Sequence, residues 1–169
     1  GNNTFHCAAS NDKNEGISET VFKHLKEFLT DAEMKELLKQ KNKNGYNPLH
    51  KLLIVNKNEK CLKEFLDTLK TVLDKTDINQ LLKEPEDQLG SNCFSIAVFC
   101  NNSDCLNSFW SFTEEFLTQD ELKQHIQQTN NNGSNAVQRA AQYNSAESFS
   151  AALEIARKIL KPDELKIFL

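Results

Sequence analysis

The chain has 169 residues, 38% of them hydrophobic and 26% charged, and its 24 acidic and 20 basic side chains leave a formal net charge of -4. Lysines and glutamates are interleaved as on a solvated helix face, which excludes a nucleic-acid partner held on a basic stripe. No apolar run approaches the roughly 20 residues that cross a bilayer, and the chain shows neither a signal-peptide pattern nor an initial Met.

The first predicted element is a short helix in the phrase Gly1-Asn2-Asn3-Thr4-Phe5-His6-Cys7-Ala8-Ala9. Further along, Leu29-Thr30-Asp31-Ala32-Glu33-Met34 opens another helix, with Thr30 and Glu33 spaced as a capping box. Lys41 to Asn44 then form a polar turn, where Gly45 takes positive φ without steric cost. The phrase Gly45-Tyr46-Asn47-Pro48-Leu49-His50-Lys51-Leu52-Leu53 starts a short helix with Leu49, Leu52 and Leu53 on one face. After a polar turn at Asn56 to Glu59, the residues Cys61, Leu62, Phe65, Leu66, Leu69, Val72 and Leu73 make the stripe of a longer amphipathic helix. Leu73-Asp74-Lys75-Thr76-Asp77-Ile78 then starts a third helix.

The same series follows twice more. Glu86 to Leu89 precede Gly90-Ser91-Asn92-Cys93-Phe94-Ser95-Ile96-Ala97-Val98, in a loop with one extra residue near Pro85 that is expected to alter its hairpin. Cys105, Leu106, Phe109, Trp110, Phe116 and Leu117 form the next long stripe, and Thr118 with Glu121 the next capping box. Asn130 to Asn132 lead into Gly133-Ser134-Asn135-Ala136-Val137-Gln138-Arg139-Ala140-Ala141, and Pro162 stands at the first position of a last helix.

The glycines that lead the four phrases are 44, 45 and 43 residues apart. Such a period means stacked units that cannot bury their apolar faces singly. The chain is therefore expected to be all-α, a single array of repeats at about 1–40, 41–84, 85–128 and 129–169. Each repeat contains a turn, a short helix, a long helix and a capped third helix. The ends, Gly1 and Lys166 to Leu169, show no polar cap, so flanking repeats or another domain in a longer protein are expected, with an apolar patch at the C-terminal end.

Catalytic chemistry finds no footing in the sequence. Four histidines without a nucleophile motif, a phosphate loop or HExxH assemble no reaction centre, and Glu33, Asp77, Glu121 and Glu164 recur because helices start there. Cys7, Cys61, Cys93, Cys100 and Cys105 are an odd number without CxxC spacing, and read as small apolar side chains in a reducing compartment. No metal or cofactor is expected, since His6, His24, His50 and His125 fall in no ligand pattern.

The Gly45 phrase resembles the ankyrin signature Gly-x-Thr-Pro-Leu-His-x-Ala-Ala, with Asn3, Asn47, Asn92 and Asn135 at the Thr position and only the second copy keeping Pro-Leu-His. The likeness is to a long-period form with an extra capped helix, similar to arrays of arthropods and their intracellular bacteria. HEAT or armadillo arrays of similar period are the structural rival. The resemblance implies an ankyrin-like α-solenoid of about four repeats with short hairpin or turn tips. It also implies a protein-protein interaction module without catalysis in this segment, or else a passive scaffold or spacer beside a catalytic or toxin domain. Its place would be the cytoplasm, or a host cytosol for an intracellular bacterium, and its partner another protein. Family contacts carried over by position fall on Lys43, Asn44 and Tyr46, with Ile54 and Val55; on Gln88, Leu89, Ser91 and Phe99, with Cys100; and on Asn131, Asn132, Ser134, Gln142 and Tyr143. Tyr46 and Leu89 are expected as contacts, while Phe99 either meets a partner or packs between repeats. His6 and His50 are expected to brace neighbouring loops.

Overall fold

The computed structural model describes residues 1–11, 13–100, 102–143 and 146–169, and the side chain of Tyr143 lies outside the described residues. Among the described residues there are twelve helices and no strand. They come in four consecutive threes. The first holds α1 (Thr4–Ala9), α2 (Ile17–Leu25) and α3 (Asp31–Lys39), and the second α4 (Pro48–Val55), α5 (Glu59–Val72) and α6 (Lys75–Lys83). The third holds α7 (Cys93–Cys100), α8 (Ser103–Phe116) and α9 (Gln119–Gln127), and the fourth α10 (Ala136–Tyr143), α11 (Ala146–Ile159) and α12 (Pro162–Phe168).

The apolar patterns explain the packing. First helices form one row, α1 on α4, α4 on α7 and α7 on α10, while second helices form another, α2 on α5, α5 on α8 and α8 on α11. Ala8, Ala9, Ala97 and Ala140 are buried in the first row, where small side chains let helices approach. The bulk sits in the second row, with Leu62, Phe65, Leu69, Leu106, Phe109 and Trp110 buried. Third helices bridge units, since α3 packs on α5, α6 on α8 and α9 on α11. The second helix of the first unit is short, 9 residues against 14 in α5, α8 and α11. Phe28 stands 81% exposed just beyond it, and Ile167 is 88% and Leu169 57% exposed at the other end of the stack.

Third helices begin as their sequences demand. Thr30 Oγ1 accepts from the Glu33 amide at 3.3 Å, and Glu33 accepts from the Thr30 amide at 2.8 Å. Thr118 and Glu121 repeat this at 3.3 and 2.8 Å. Pro162 occupies the first turn of α12, where its missing N–H costs nothing.

The recurrent Asn does more than start the first helix. Oδ1 of Asn3, Asn47, Asn92 and Asn135 accepts from the amides of His6, His50, Ser95 and Gln138 at 3.1, 2.8, 2.9 and 2.9 Å. In three repeats the amide nitrogen also donates to a carbonyl near the end of the third helix: Asn3 to Leu37 at 2.8 Å, Asn92 to His125 at 2.6 Å and Asn135 to Phe168 at 2.7 Å. Asn47 Nδ2 is buried without a partner. An amide offers an acceptor and a donor on separate atoms, whereas a Thr hydroxyl must do both from one oxygen. Asn therefore suits a repeat with a third helix to be tied in.

Candidate interaction surface

Each loop leading into α4, α7 and α10 is a polar tip closed by its own side chain. Asn42 Oδ1 accepts from the amides of Asn44 and Tyr46 at 2.9 and 3.1 Å, and Asn130 Oδ1 from those of Asn132 and Ser134 at 3.0 Å each. The extra residue near Pro85 lengthens the third tip, which closes from the Glu86 amide to the Ser91 carbonyl. There the longer Glu86 side chain replaces Asn, and its buried carboxylate accepts from Gln88, Leu89 and Ser91 at 2.7, 2.8 and 3.1 Å. The hairpin thus departs in length but keeps its closure. Gly45 and Gly90 hold φ of 77° and 67°, and a Cβ on either would collide with the next tip, at Asp87 or Asn131. Glycine is needed for close approach as well as for the turn.

Side chains and backbone knit adjacent tips into one surface. His6 Nε2 donates to the Tyr46 carbonyl at 2.7 Å and His50 Nε2 to the Glu84 carbonyl at 2.9 Å, while their Nδ1 atoms accept from Asn3 and Asn47 amides at 3.3 Å. Carbonyl acceptors fix the Nε2–H tautomer. Burial holds both imidazoles below their ordinary pKa, His50 at about 4, so both are neutral braces near pH 7. Lys41 reaches the Pro85 carbonyl at 3.1 Å, Asp87 at 2.6 Å and Glu84 at 3.2 Å. The Asn131 amide donates to the Leu89 carbonyl at 2.8 Å.

The expected contact positions divide by exposure. Lys43, Asn44, Gln88, Leu89, Asn131, Asn132 and Gln142 are exposed, and Tyr46, Phe99 and Ser134 are half-buried, as are Ile54, Val55 and Cys100. Tyr46 leans edge-on against His50, with ring centroids 6.4 Å apart, and its hydroxyl lies 3.4 Å from Gln88. Ser91 corrects the expectation: it is 2% exposed and its hydroxyl accepts from Arg139 Nη1 at 3.0 Å, so it supports the surface from beneath. The side chain of Tyr143 lies outside the described residues. Cys7 is also corrected. It is exposed, whereas Cys61, Cys93 and Cys105 are buried.

Five of the expected residues, Leu89, Phe99, Asn132, Ser134 and Gln142, line one open groove of about 420 Å³ with Asn130 and Arg139. The Arg139 guanidinium lies over the Phe99 ring, 4.3 Å from its centroid, a cation–π geometry. Lys43, Asn44 and Tyr46 lie on the preceding tip, and Gln88 and Asn131 are on the third and fourth tips but outside the lining of this groove. Arg139 and Glu86 were missed as site residues. Arg139 carries a signal, since it takes the place of Lys51 in the repeated phrase.

Among the described residues, no cluster of three or more His, Cys, Asp or Glu side chains is placed to hold a metal ion. No described helix is long and apolar enough to cross a membrane. No family model matches the chain, and no curated protein or solved structure is significantly similar to it.

Proposed function

We propose that this chain is a protein-recognition array of ankyrin type with a third helix in each repeat, binding a partner along its tips and the exposed side of its first helices. The observation that carries this reading is the groove at the third and fourth tips. There an exposed Leu89, a half-buried Phe99 and the polar ends of Asn132, Ser134 and Gln142 converge on tips already cross-braced by His50, Lys41 and Asn131. An apolar anchor ringed by adaptable polar groups on a preorganised support is the composition of a binding hot spot. The Gly-led tips, bracing histidines and stacked first helices support the ankyrin likeness. Five cysteines, none of them in a disulfide, support a reducing compartment such as the cytoplasm.

Photo-crosslinking in cells tests the reading. A benzophenone amino acid at Leu89 or Gln142 should trap one discrete protein, and the same group at Glu114, exposed on α8, should not. Trapping that is equal at all three positions, or absent at all three, favours the passive spacer.

A further inference from the structure

The first helices are nearly free of charge, and what charge they carry has one sign. Histidines aside, α1, α4, α7 and α10 contain two charged residues, Lys51 and Arg139, and no acid, in a chain where acids outnumber bases 24 to 20. Both follow the bracing position, His50 in the second repeat and Gln138 in the fourth, so they occupy equivalent places on the same face. Cys7 and Ile96 are their counterparts. Between them lie the half-buried Ile54 and Phe99.

Acids of the adjoining tips are already engaged. Glu84 and Asp87 pair with Lys41 at 3.2 and 2.6 Å, and Glu86 is buried against three amides. Among the described residues no carboxylate pairs with Lys43, Lys51, Lys57 or Arg139. Arg139 is nevertheless held in place, its plane on Phe99 and Nη1 on the buried Ser91 hydroxyl. A guanidinium has five N–H donors. Those not used on Ser91 remain for a planar acceptor at the rim of the groove, and their orientation costs little further entropy.

On the reading that this face binds protein, we propose that its partner is an acidic segment, with one carboxylate on Arg139, an apolar side chain seated against Leu89 and Phe99, and a second carboxylate toward Lys51. Such a segment matches the charge that the face leaves unanswered. A nucleic acid fits less well, because a phosphate track needs a continuous run of cations. Here the first helices carry two cations, set two repeats apart, and Arg139 covers a face of the Phe99 ring that a base would stack on.

Selection of a random 12-residue phage-displayed library on the whole chain tests this, followed by anisotropy of the selected peptides. Peptides rich in Asp and Glu around Leu, Phe or Ile should emerge, lose at least tenfold in affinity on Arg139→Gln and less on Lys51→Gln, and weaken as salt rises. Arg139→Lys, which keeps the charge and loses the fork, should fall between, and unchanged melting of each variant separates binding from folding. Peptides that are blocked by Leu89→Arg yet carry no acidic enrichment would overturn the acidic-partner proposal and leave the protein-binding reading standing. Selected peptides indifferent to both Leu89→Arg and Gln142→Ala would remove that reading as well. Tighter binding of a twelve-nucleotide single-stranded DNA than of any peptide would replace the proposal with a nucleic-acid partner.

Discussion

The side-chain amide of Asn135 donates to the main-chain carbonyl of Phe168 at 2.7 Å, joining the start of the first helix of the fourth repeat to the end of its third. Asn135→Thr keeps an N-cap oxygen but loses this tie, and should cost about 1 kcal/mol, the worth of one hydrogen bond with its acceptor left buried. Asn47→Thr should be neutral or mildly stabilising, because Asn47 Nδ2 has no partner to lose. Urea denaturation of the two variants checks the contrast, and equal losses would show that the amide nitrogen contributes nothing.

His125 stands where the first and second repeats have Leu37 and Leu81. Its Nε2 is buried without a partner, while Asn92 is already served by the His125 carbonyl and by Gln128 at 3.0 Å. His125→Leu removes an unsatisfied group of a kind that typically costs 1–3 kcal/mol. It should therefore raise the melting temperature, an outcome differential scanning calorimetry reads directly.

Stability should fall with acid in two stages. Burial holds His50 and His125 at about 4 against 6.5 in the unfolded chain. The unfolded form then binds more protons between those values, and stability, complete above pH 6.5, declines toward pH 4. Asp77 and Glu121 lie at about 2, first through their hydrogen bonds to Lys35 and Lys83 respectively, so their contribution is lost below the unfolded carboxylate values. Denaturant midpoints at stepped pH should show both stages, with the upper one reduced in His125→Leu.

Asp77 joins the first two repeats, meeting Lys35 Nζ at 2.9 Å and Lys39 Nζ at 3.0 Å, and its side chain is only 17% exposed. Asp77→Asn should destabilise by about 1 kcal/mol at low salt, with the effect shrinking near 1 M salt as screening sets in. A salt-independent loss would assign the role of Asp77 to packing.

Leu89→Ala and Tyr46→Ala should separate. Leu89 is 41% exposed, and its truncation should leave stability within about 0.5 kcal/mol, as at ordinary surface positions. Tyr46 rests on His50, and its loss should cost about 1 kcal/mol. Thermal melts of both variants decide the matter.

Local signals were the legible ones. Thr30 with Glu33, Thr118 with Glu121, Pro162 and the leading glycines each act within a few residues, and each marks a boundary that the helices respect. What escaped depends on which residue a neighbouring repeat places alongside. Ser91 shares the tip position of the half-buried Tyr46, yet Arg139 of the next unit sits against its hydroxyl. The closure of its tip by Glu86 depends on a loop one residue longer, where Asn would fall short of the amides. Cys7 looked apolar by residue type, and its place in the phrase is no guide to its exposure, since Lys51 and Arg139 are half-buried there and Ile96 is buried. Lys26 to Phe28 contain no helix breaker, so the end of α2 at Leu25 has no local cause.

The acids that begin the third helices also tether neighbouring units. Glu121 caps its own helix and receives Asn79 and Lys83 from the preceding one, and Glu164 accepts from the Lys161 amide at 2.7 Å while pairing with Lys123 at 3.0 Å. At these two junctions, coiling the helix and docking the neighbour share one carboxylate, so neither is lost without weakening the other. The first junction divides the tasks: Asp74 caps α6, and Asp77 takes most of the lysine contacts. Undocking there leaves the helix start intact. The first two repeats can therefore part without unwinding α6, whereas separation at either later junction also uncaps a helix.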